Sequence, residues 1–274
     1  MTNASRSGSL LSTAFLLLAA ATVIVPFFAV VSTALQPADT LRPSLGWPSD
    51  PQWGNFVDAW STAHFGALMK SSALIAAVVV PVAAACAALA GYAFAVLDVP
   101  ARGTLFALFL AGLTLPYEAV VIPLYFDFRA VGLIDSYWAV ILPLTGAFLP
   151  FGIFWMRAHF ASVPRELMEA ADVDGAGPFR TFALVMLPTA RPALTTLCLL
   201  NFMWAWNHFL LALILLRDPD KRTAPSGLGS FVQQYGQQLP LLCAGTLLVI
   251  TPVVALYLFF QRHFVSGLIQ GAIK

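Results

Sequence analysis

Long apolar runs separated by short polar segments are the dominant pattern of this 274-residue chain. A run of about 20 apolar residues is long enough to cross the hydrocarbon core of a bilayer as a helix. Six runs approach or exceed that length, at residues 14–35, 71–97, 104–126, 136–156, 192–216 and 241–260. The pattern therefore predicts an all-α integral membrane protein with six transmembrane helices, in which a short segment, 1–13, precedes a single membrane domain over 14–274.

The first and third runs each admit two interpretations. A cleaved signal peptide has an apolar core of about 7–15 residues, so the longer first run favours a retained helix. The third run contains Pro116 and Glu118. Glu118 lies inside the membrane if the helix continues, and at the interface if it ends at Leu115. The second interpretation is slightly favoured, because proline can break a helix.

The stretch between the fourth and fifth runs is polar over 158–190, and its centre is Glu166 to Pro188, ELMEAADVDGAGPFRTFALVMLP. Ser162 is a candidate cap for a helix that ends at Asp174-Gly175, and Gly177-Pro178 begins a second helical run. Helical spacing groups the apolar side chains into two sets. The sets are Leu167, Ala170 and Ala171 on the first helix, and Phe179, Phe182 and Met186 on the second.

Basic residues near the span ends predict the orientation, because cytoplasmic loops carry more of them. A cytoplasmic N-terminus places Arg6, Arg102, Arg157, Arg165, Arg180, Arg191, Arg262 and Lys274 inside, against Arg42, Lys70, Arg129, Arg217, Lys221 and Arg222 outside. This small excess favours cytoplasmic termini and a cytoplasmic Glu166–Pro188 segment.

The segment 36–65 combines several prolines with Trp47, Trp53 and Trp60. The prolines argue against one continuous helix, and tryptophans are typical of the membrane–water boundary. The pattern predicts an extramembrane loop whose aromatic residues lie at the interface.

Composition excludes several function classes. The chain is 59% hydrophobic and only 10% charged, with a net charge of +1, so no basic surface for nucleic acid is indicated. Its cysteines and histidines show no metal-ligand or disulfide spacing. None of the three lysines, Lys70, Lys221 and Lys274, belongs to a glycine-rich phosphate loop, so nucleotide hydrolysis must occur elsewhere if it drives this protein.

The fifth run carries a polar face. Asn201, Trp204 and His208 recur at i, i+3 and i+7, and Asn207 adjoins them. These residues could line a polar translocation path in which the indole stacks on a sugar ring. Hydrogen bonding and packing between helices explains the same residues equally well.

The spacing within the polar segment resembles the signature loop of permease subunits of bacterial ABC importers. That loop is written EAA, three residues, G, nine residues, I, one residue, LP. Here Glu169-Ala170-Ala171, Gly175 and Leu187-Pro188 match it, and Val185 replaces the isoleucine.

Further stretches resemble the carbohydrate-importer branch of that family, the maltose-permease type. They are Gly91-Tyr92-Ala93-Phe94, Ile122-Pro123-Leu124, Gly132-Leu133, Phe202 with Trp206-Asn207, and Gln261 with Gly267-Leu268 and Gly271-Ala272. Two positions depart from the branch: His208 stands where a glutamate is common, and Val96 where a basic residue is frequent.

The resemblance implies a subunit of the bacterial cytoplasmic membrane that imports a sugar or polyol and has no cofactor of its own. Its partners would be a second permease, two ATPase subunits that bind ATP and Mg²⁺, and an extracytoplasmic solute-binding protein. Coupling to the ATPase would involve Glu169, Ala170, Ala171, Asp174, Gly175, Leu187 and Pro188. The alternatives are another solute, such as a polyamine or glycerol phosphate, an ion-coupled secondary transporter, or a membrane-embedded hydrolase using Glu118 or Asp127.

Overall fold

The computed structural model describes residues 3–40, 43–233 and 236–272. These residues fall into two units. Unit 1 comprises Met1–Phe65 with Gly227–Thr251, and unit 2 comprises Gly66–Ser226 with Pro252–Lys274.

The described chain is almost entirely helical. Twelve α-helical segments follow in order: α1 Asn3–Ala34, α2 Gly54–Thr62, α3 Phe65–Val96, α4 Arg102–Gly112, α5 Tyr117–Ala130, α6 Trp138–Ser162, α7 Arg165–Val173, α8 Pro178–Thr181, α9 Leu187–Thr189, α10 Arg191–Trp206, α11 Leu210–Leu215 and α12 Leu239–Ala272. A π-helical turn, Phe182–Met186, joins α8 to α9, and 3₁₀ segments cover Pro219–Lys221 and Ala224–Phe231. The strands β1 Val232–Gln233 and β2 Gly236–Gln237 form a small antiparallel hairpin. The all-α prediction is confirmed.

Four helices of the described chain are long and apolar enough to cross a membrane: Ser12–Ala34, Phe65–Val96, Trp138–Ser162 and Leu239–Gln261. Two bent pairs would raise the count to six if each pair forms one span. They are Arg102–Gly112 with Tyr117–Ala130, bent by 92°, and Pro178–Thr189 with Arg191–Trp206, bent by 77°. Six spans therefore stay a prediction.

The third apolar run is broken, as the favoured sequence interpretation proposed. α4 ends at Gly112, Pro116 has an extended backbone with ψ 111°, and Glu118 lies in the first turn of the separate helix α5. Proline has no amide hydrogen and disfavours helical geometry at the residue before it, which explains a break at this point.

The fifth run is also interrupted, which the prediction of one helix over 192–216 missed. α10 ends at Trp206, and α11 begins only at Leu210. Both the backbone and the side-chain amide of Asn207 donate to the carbonyl of Met203, at 3.1 and 2.9 Å. Asparagine often ends a helix by competing for backbone hydrogen bonds in this way.

Within unit 2, α3 and α6 approach closely at two glycines. A Cβ on Gly91 would lie 2.6 Å from Cβ of Met156, and one on Gly152 would lie 2.7 Å from Cβ of Ala87. Small residues allow such contact between membrane helices. The resulting seam between α3 and α6 holds the core to which the polar segment attaches.

Different segments of unit 2 are hydrogen-bonded to the two ends of α3. Near its start, Ser71 is hydrogen-bonded to Tyr137 Oη at 2.8 Å, and Ser72 Oγ accepts from the amide of Ala224 at 2.8 Å. Near its finish, Tyr92 Oη donates to the carbonyl of Pro178 at 3.1 Å. The segment 165–189 therefore lies at the end of the unit opposite to residues 135–137 and 217–224.

Candidate functional site

The turn after α7 is a complete C-cap. Gly175 has φ +73°, its amide donates to the carbonyl of Asp172 at 3.0 Å, and the amide of Ala176 donates to that of Ala171 at 2.9 Å. These two bonds form a Schellman motif, which requires a left-handed residue that glycine supplies without strain. The predicted helix end at Asp174-Gly175 is confirmed.

The start of α7 differs from the prediction. α7 begins at Arg165, after Pro164, and Ser162 still belongs to α6, where its Oγ donates to the carbonyl of His159 at 2.7 Å. Ser162 is therefore not a cap. The expected grouping of Leu167, Ala170 and Ala171 is also wrong in part. α7 packs through Met168 and Ala171, which leaves Leu167 and Ala170 exposed.

The second helical run begins at Pro178, as predicted, and contains a π-helical turn. Phe182–Met186, which includes Val185, widens the helix immediately before Leu187-Pro188. Pro188 has no amide hydrogen, so it leaves one carbonyl of the preceding turn without its helical donor. A π turn inserts one extra residue, and such local adjustments help the helix to accommodate a proline.

One side of the segment is anchored in the bundle. Phe182 is 7% exposed and Met186 fully buried. The ring of Phe182 lies 5.2 Å from that of Tyr92 on α3 and 6.3 Å from that of Phe160 on α6. With the Tyr92–Pro178 hydrogen bond, these contacts fix the segment to two long helices at once.

The other side is exposed and carries both apolar and acidic groups. Val173, Phe179 and Leu184 are 88%, 75% and 64% exposed. Glu169 and Asp174 are exposed too, and neither carboxylate forms an ion pair with a residue that the structure describes. Of the remaining predicted coupling residues, Ala170, Gly175 and Pro188 are exposed, Leu187 is half-buried and Ala171 is buried.

The predicted polar face of the fifth run is divided. Asn201 is fully buried, and neither side-chain amide atom has a hydrogen-bond partner within the described part of the chain. Trp204 is 41% exposed, and its ring contacts those of Phe148 and Phe151 on α6 at 5.7 and 5.1 Å. Asn201 and Trp204 lie three residues apart on α10, but α10 ends at Trp206, so His208 does not continue their helical face.

His208 lies beyond the end of α10 and faces α5. Its imidazole meets the ring of Tyr117 edge-on at 5.2 Å, while Asn207 beside it is exposed. Sequence reasoning missed Tyr117, Phe148 and Phe151, because only the fold brings Tyr117 to His208 and packs α6 against α10. The proline break before Tyr117 was the one signal that pointed to this place.

A second group missed in the sequence lies at the opposite end of unit 2. The carboxylate of Asp135 accepts from the amides of Asp218 and Arg217, both at 3.1 Å, and from Lys221 Nζ at 2.9 Å. The Asp218 amide, followed by Lys221, holds the pKa of Asp135 below its ordinary value. Asp135 in turn raises the pKa of Lys221. This Asp135 clamp ties the turn before α6 to the chain after α11.

The described residues contain no group of acidic, cysteine or histidine side chains able to hold a metal ion. Long apolar helices with a structured polar segment at one end define the class: a multi-pass membrane protein. The family model for the inner membrane component of binding-protein-dependent transport systems matches residues 85–270, and the chain belongs to that family.

Individual proteins agree with this assignment. The chain is 35% identical to the arabinooligosaccharides transport system permease AraQ of Halalkalibacterium halodurans, over 83% of this chain and 81% of the relative. It is 30% identical to the diacetylchitobiose uptake system permease NgcG of Streptomyces coelicolor, over 99% and 91%. The crystal structure of a bacterial ABC transporter that imports alginate contains a chain with the same fold, with a TM-score of 0.82 at 21% identity, covering 96% of this chain and 99% of that one.

Proposed function

We propose that this chain is the membrane subunit of an ATP-driven importer for a sugar or a related polyol, and that Glu166–Pro188 is the surface on which a separate ATPase docks. The observation that carries the docking proposal is the two-sided character of the segment. Its buried side is fixed to α3 and α6, and its exposed side offers apolar groups together with two carboxylates, Glu169 and Asp174, that form no ion pair with a described residue. A force applied to the exposed side would move both long helices, because the segment is packed and hydrogen-bonded to α3 and packed on α6, and packed elements move together as a rigid body.

The sugar assignment rests on relatives. AraQ and NgcG are named for oligosaccharide uptake, and the structural neighbour imports a polysaccharide. In this chain the exposed indole of Trp204 offers the flat apolar face on which sugar rings stack. Asn207 and His208 would add polar contacts to the path, and Asn201 would join them only after a rearrangement exposes its amide.

Three partners complete the proposed importer. A second permease would share the path, two ATP-binding subunits would hold ATP and Mg²⁺, and an extracytoplasmic solute-binding protein would deliver the sugar. The family description, which specifies dependence on a binding protein, supports the last of these. With both termini in the cytoplasm, the segment would meet the ATPase there.

Exchange of Gly175 for valine tests the docking proposal. A β-branched residue at φ +73° costs at least about 1–2 kcal/mol, so the Schellman turn should distort. We expect roughly tenfold less co-purified ATPase and a similar loss of uptake, following the usual relation between free energy and affinity. Uptake is measured with radiolabelled sugars, a polyamine and glycerol phosphate.

Gly177 provides the matched control. Its backbone is extended, with φ −71° and ψ 167°, and its Cβ position is open, so Gly177→Val fits without strain. Wild-type uptake and wild-type ATPase co-purification by Gly175→Val at equal protein levels would argue against docking through this turn. Preferential uptake of a polyamine or glycerol phosphate would overturn the sugar assignment alone.

A further inference from the structure

The short helix α2 in unit 1 has three distinct faces. Asn55 and Ala59 are buried on one, and Asp58 and Ser61 are exposed on another. The third carries Trp53, Val57 and Trp60, which are 64%, 70% and 44% exposed. We call this third face the aromatic face of α2. A water-soluble surface has little reason to expose an apolar stripe beside a polar one.

Hydrogen bonds fix α2 to the end of α1. The side-chain amide of Asn55 donates to the carbonyls of Ala34 and Gln36, at 2.8 and 2.7 Å. The backbone amide of Gln52 donates to the carbonyl of Leu35 at 2.8 Å. The aromatic face therefore lies at the level where the apolar helix Ser12–Ala34 ends.

A contact of Trp47 gives a second, independent indication of where this region lies along the apolar helix. Its ring lies 6.5 Å from that of Phe28 with the two planes 32° apart, and Phe28 belongs to the apolar helix. Phe28 precedes the end of that helix by six residues, or about 9 Å at 1.5 Å per residue. When Ser12–Ala34 spans a bilayer, an indole at this position lies near the edge of the hydrocarbon core, at the depth where tryptophan is enriched.

We propose that the aromatic face of α2, together with Trp47, lies in the membrane interface, against the lipid headgroups and the first acyl carbons. The polar face with Asp58 then faces water, which is the arrangement of an amphipathic helix lying in the plane of a membrane. This contact with lipid would hold the end of α1 at the membrane surface. The proposal does not depend on which solute the protein carries.

Nitroxide labels on adjacent residues test this proposal. Val57→Cys and Asp58→Cys are labelled in full-length protein that lacks Cys86, Cys198 and Cys243 and retains wild-type uptake. The protein is reconstituted in vesicles of phosphatidylcholine and phosphatidylglycerol. We expect the label at residue 57 to collide several-fold more with oxygen than with a water-soluble nickel chelate, and the label at 58 to show the reverse.

Tryptophan quenching supplies a second measurement with no label. Phosphatidylcholine brominated near the headgroup should quench the native protein more than the Trp53→Phe, Trp60→Phe double variant, whose other tryptophans serve as the reference. Equal access of nickel to both labels would overturn the proposal. Shielding of residue 57 from oxygen and nickel alike would also overturn it, because a protein partner would then cover the face.

Discussion

Trp204 carries most of the chemistry proposed for the path. Phe148 and Phe151 contact its ring, and 41% of its surface stays exposed. This arrangement presents a rigid indole whose orientation two neighbours fix. A stacking platform needs such rigidity, because a mobile ring loses conformational entropy when the ligand binds.

We expect Trp204→Ala to lower sugar uptake roughly two- to tenfold, since an aromatic contact is worth roughly 0.5–1.5 kcal/mol. Trp204→Phe should retain most uptake. Trp138→Ala is the control, because Trp138 is 52% exposed at the start of α6, away from this cluster. Sugar uptake is compared at matched protein levels. Wild-type uptake by Trp204→Ala would show that Trp204 does not contact the sugar.

At the scale of elements, the close approach of α3 and α6 links the core to the polar segment. Gly91 is followed directly by Tyr92, which holds Pro178. A side chain at residue 91 would meet Met156 and the amide of Arg157, at 2.6 and 2.8 Å. The seam and the anchor of the segment are thus one continuous structure.

Gly91→Val should force α3 away from α6. Overpacking of this kind costs about 1–3 kcal/mol, so we expect a lower melting temperature in detergent together with weaker uptake. Gly103→Val serves as the control, because its Cβ position on α4 is open. Identical melting of the two variants would show that the seam tolerates a larger residue.

Hydrophobic pattern predicted the long helices well and their interruptions less well. Helices such as α3 and α6 begin and end within about six residues of the predicted bounds, because apolar runs report burial in lipid directly. The break at Pro116 has a local cause and was foreseen. The break at Asn207 depends on a single side-chain hydrogen bond, and the packing of α7 through Met168 depends on neighbours distant in sequence.

The candidate site shows the same division. Local turn chemistry identified Gly175, since only neighbouring residues form its cap. His208 contacts Tyr117 because the break before α5 and the break after α10 lie side by side in the fold. The departure from the family pattern at residue 208 does not predict this contact. The structure tests neither the coupling nor the path roles, which stay predictions.

At the scale of the whole molecule, unit 2 has a cytoplasmic end in our proposal and an opposite end held by the Asp135 clamp. Asp135 has φ +65°, a left-handed backbone that aspartate and asparagine tolerate better than most residues. Asp135→Asn therefore removes the charge while it preserves the backbone.

We expect the clamp to stabilise the fold in a pH-dependent way. The folded pKa of Asp135 is lowered, so its contribution is present above the ordinary carboxyl pKa of about 4 and disappears as pH falls through the lowered value. The melting temperature of Asp135→Asn should thus lie below that of the wild type at neutral pH and converge with it in acid. Asp98→Asn, at an exposed carboxylate in another turn, is the control and should melt with the wild type at neutral pH. A constant difference at every pH would contradict the clamp.

The π turn at Phe182–Met186 has a consequence for the angular phase of the helices that follow. Each residue of an α-helix rotates the chain by about 100°, so one residue added to or removed from a turn redirects every later side chain by that angle. The extra residue accommodated before Pro188 therefore sets the direction in which the side chains of α9 face relative to the anchored segment. Loss of a single residue there would leave the Phe182 anchor intact but turn Leu187 by about 100°, away from the core on which it now packs.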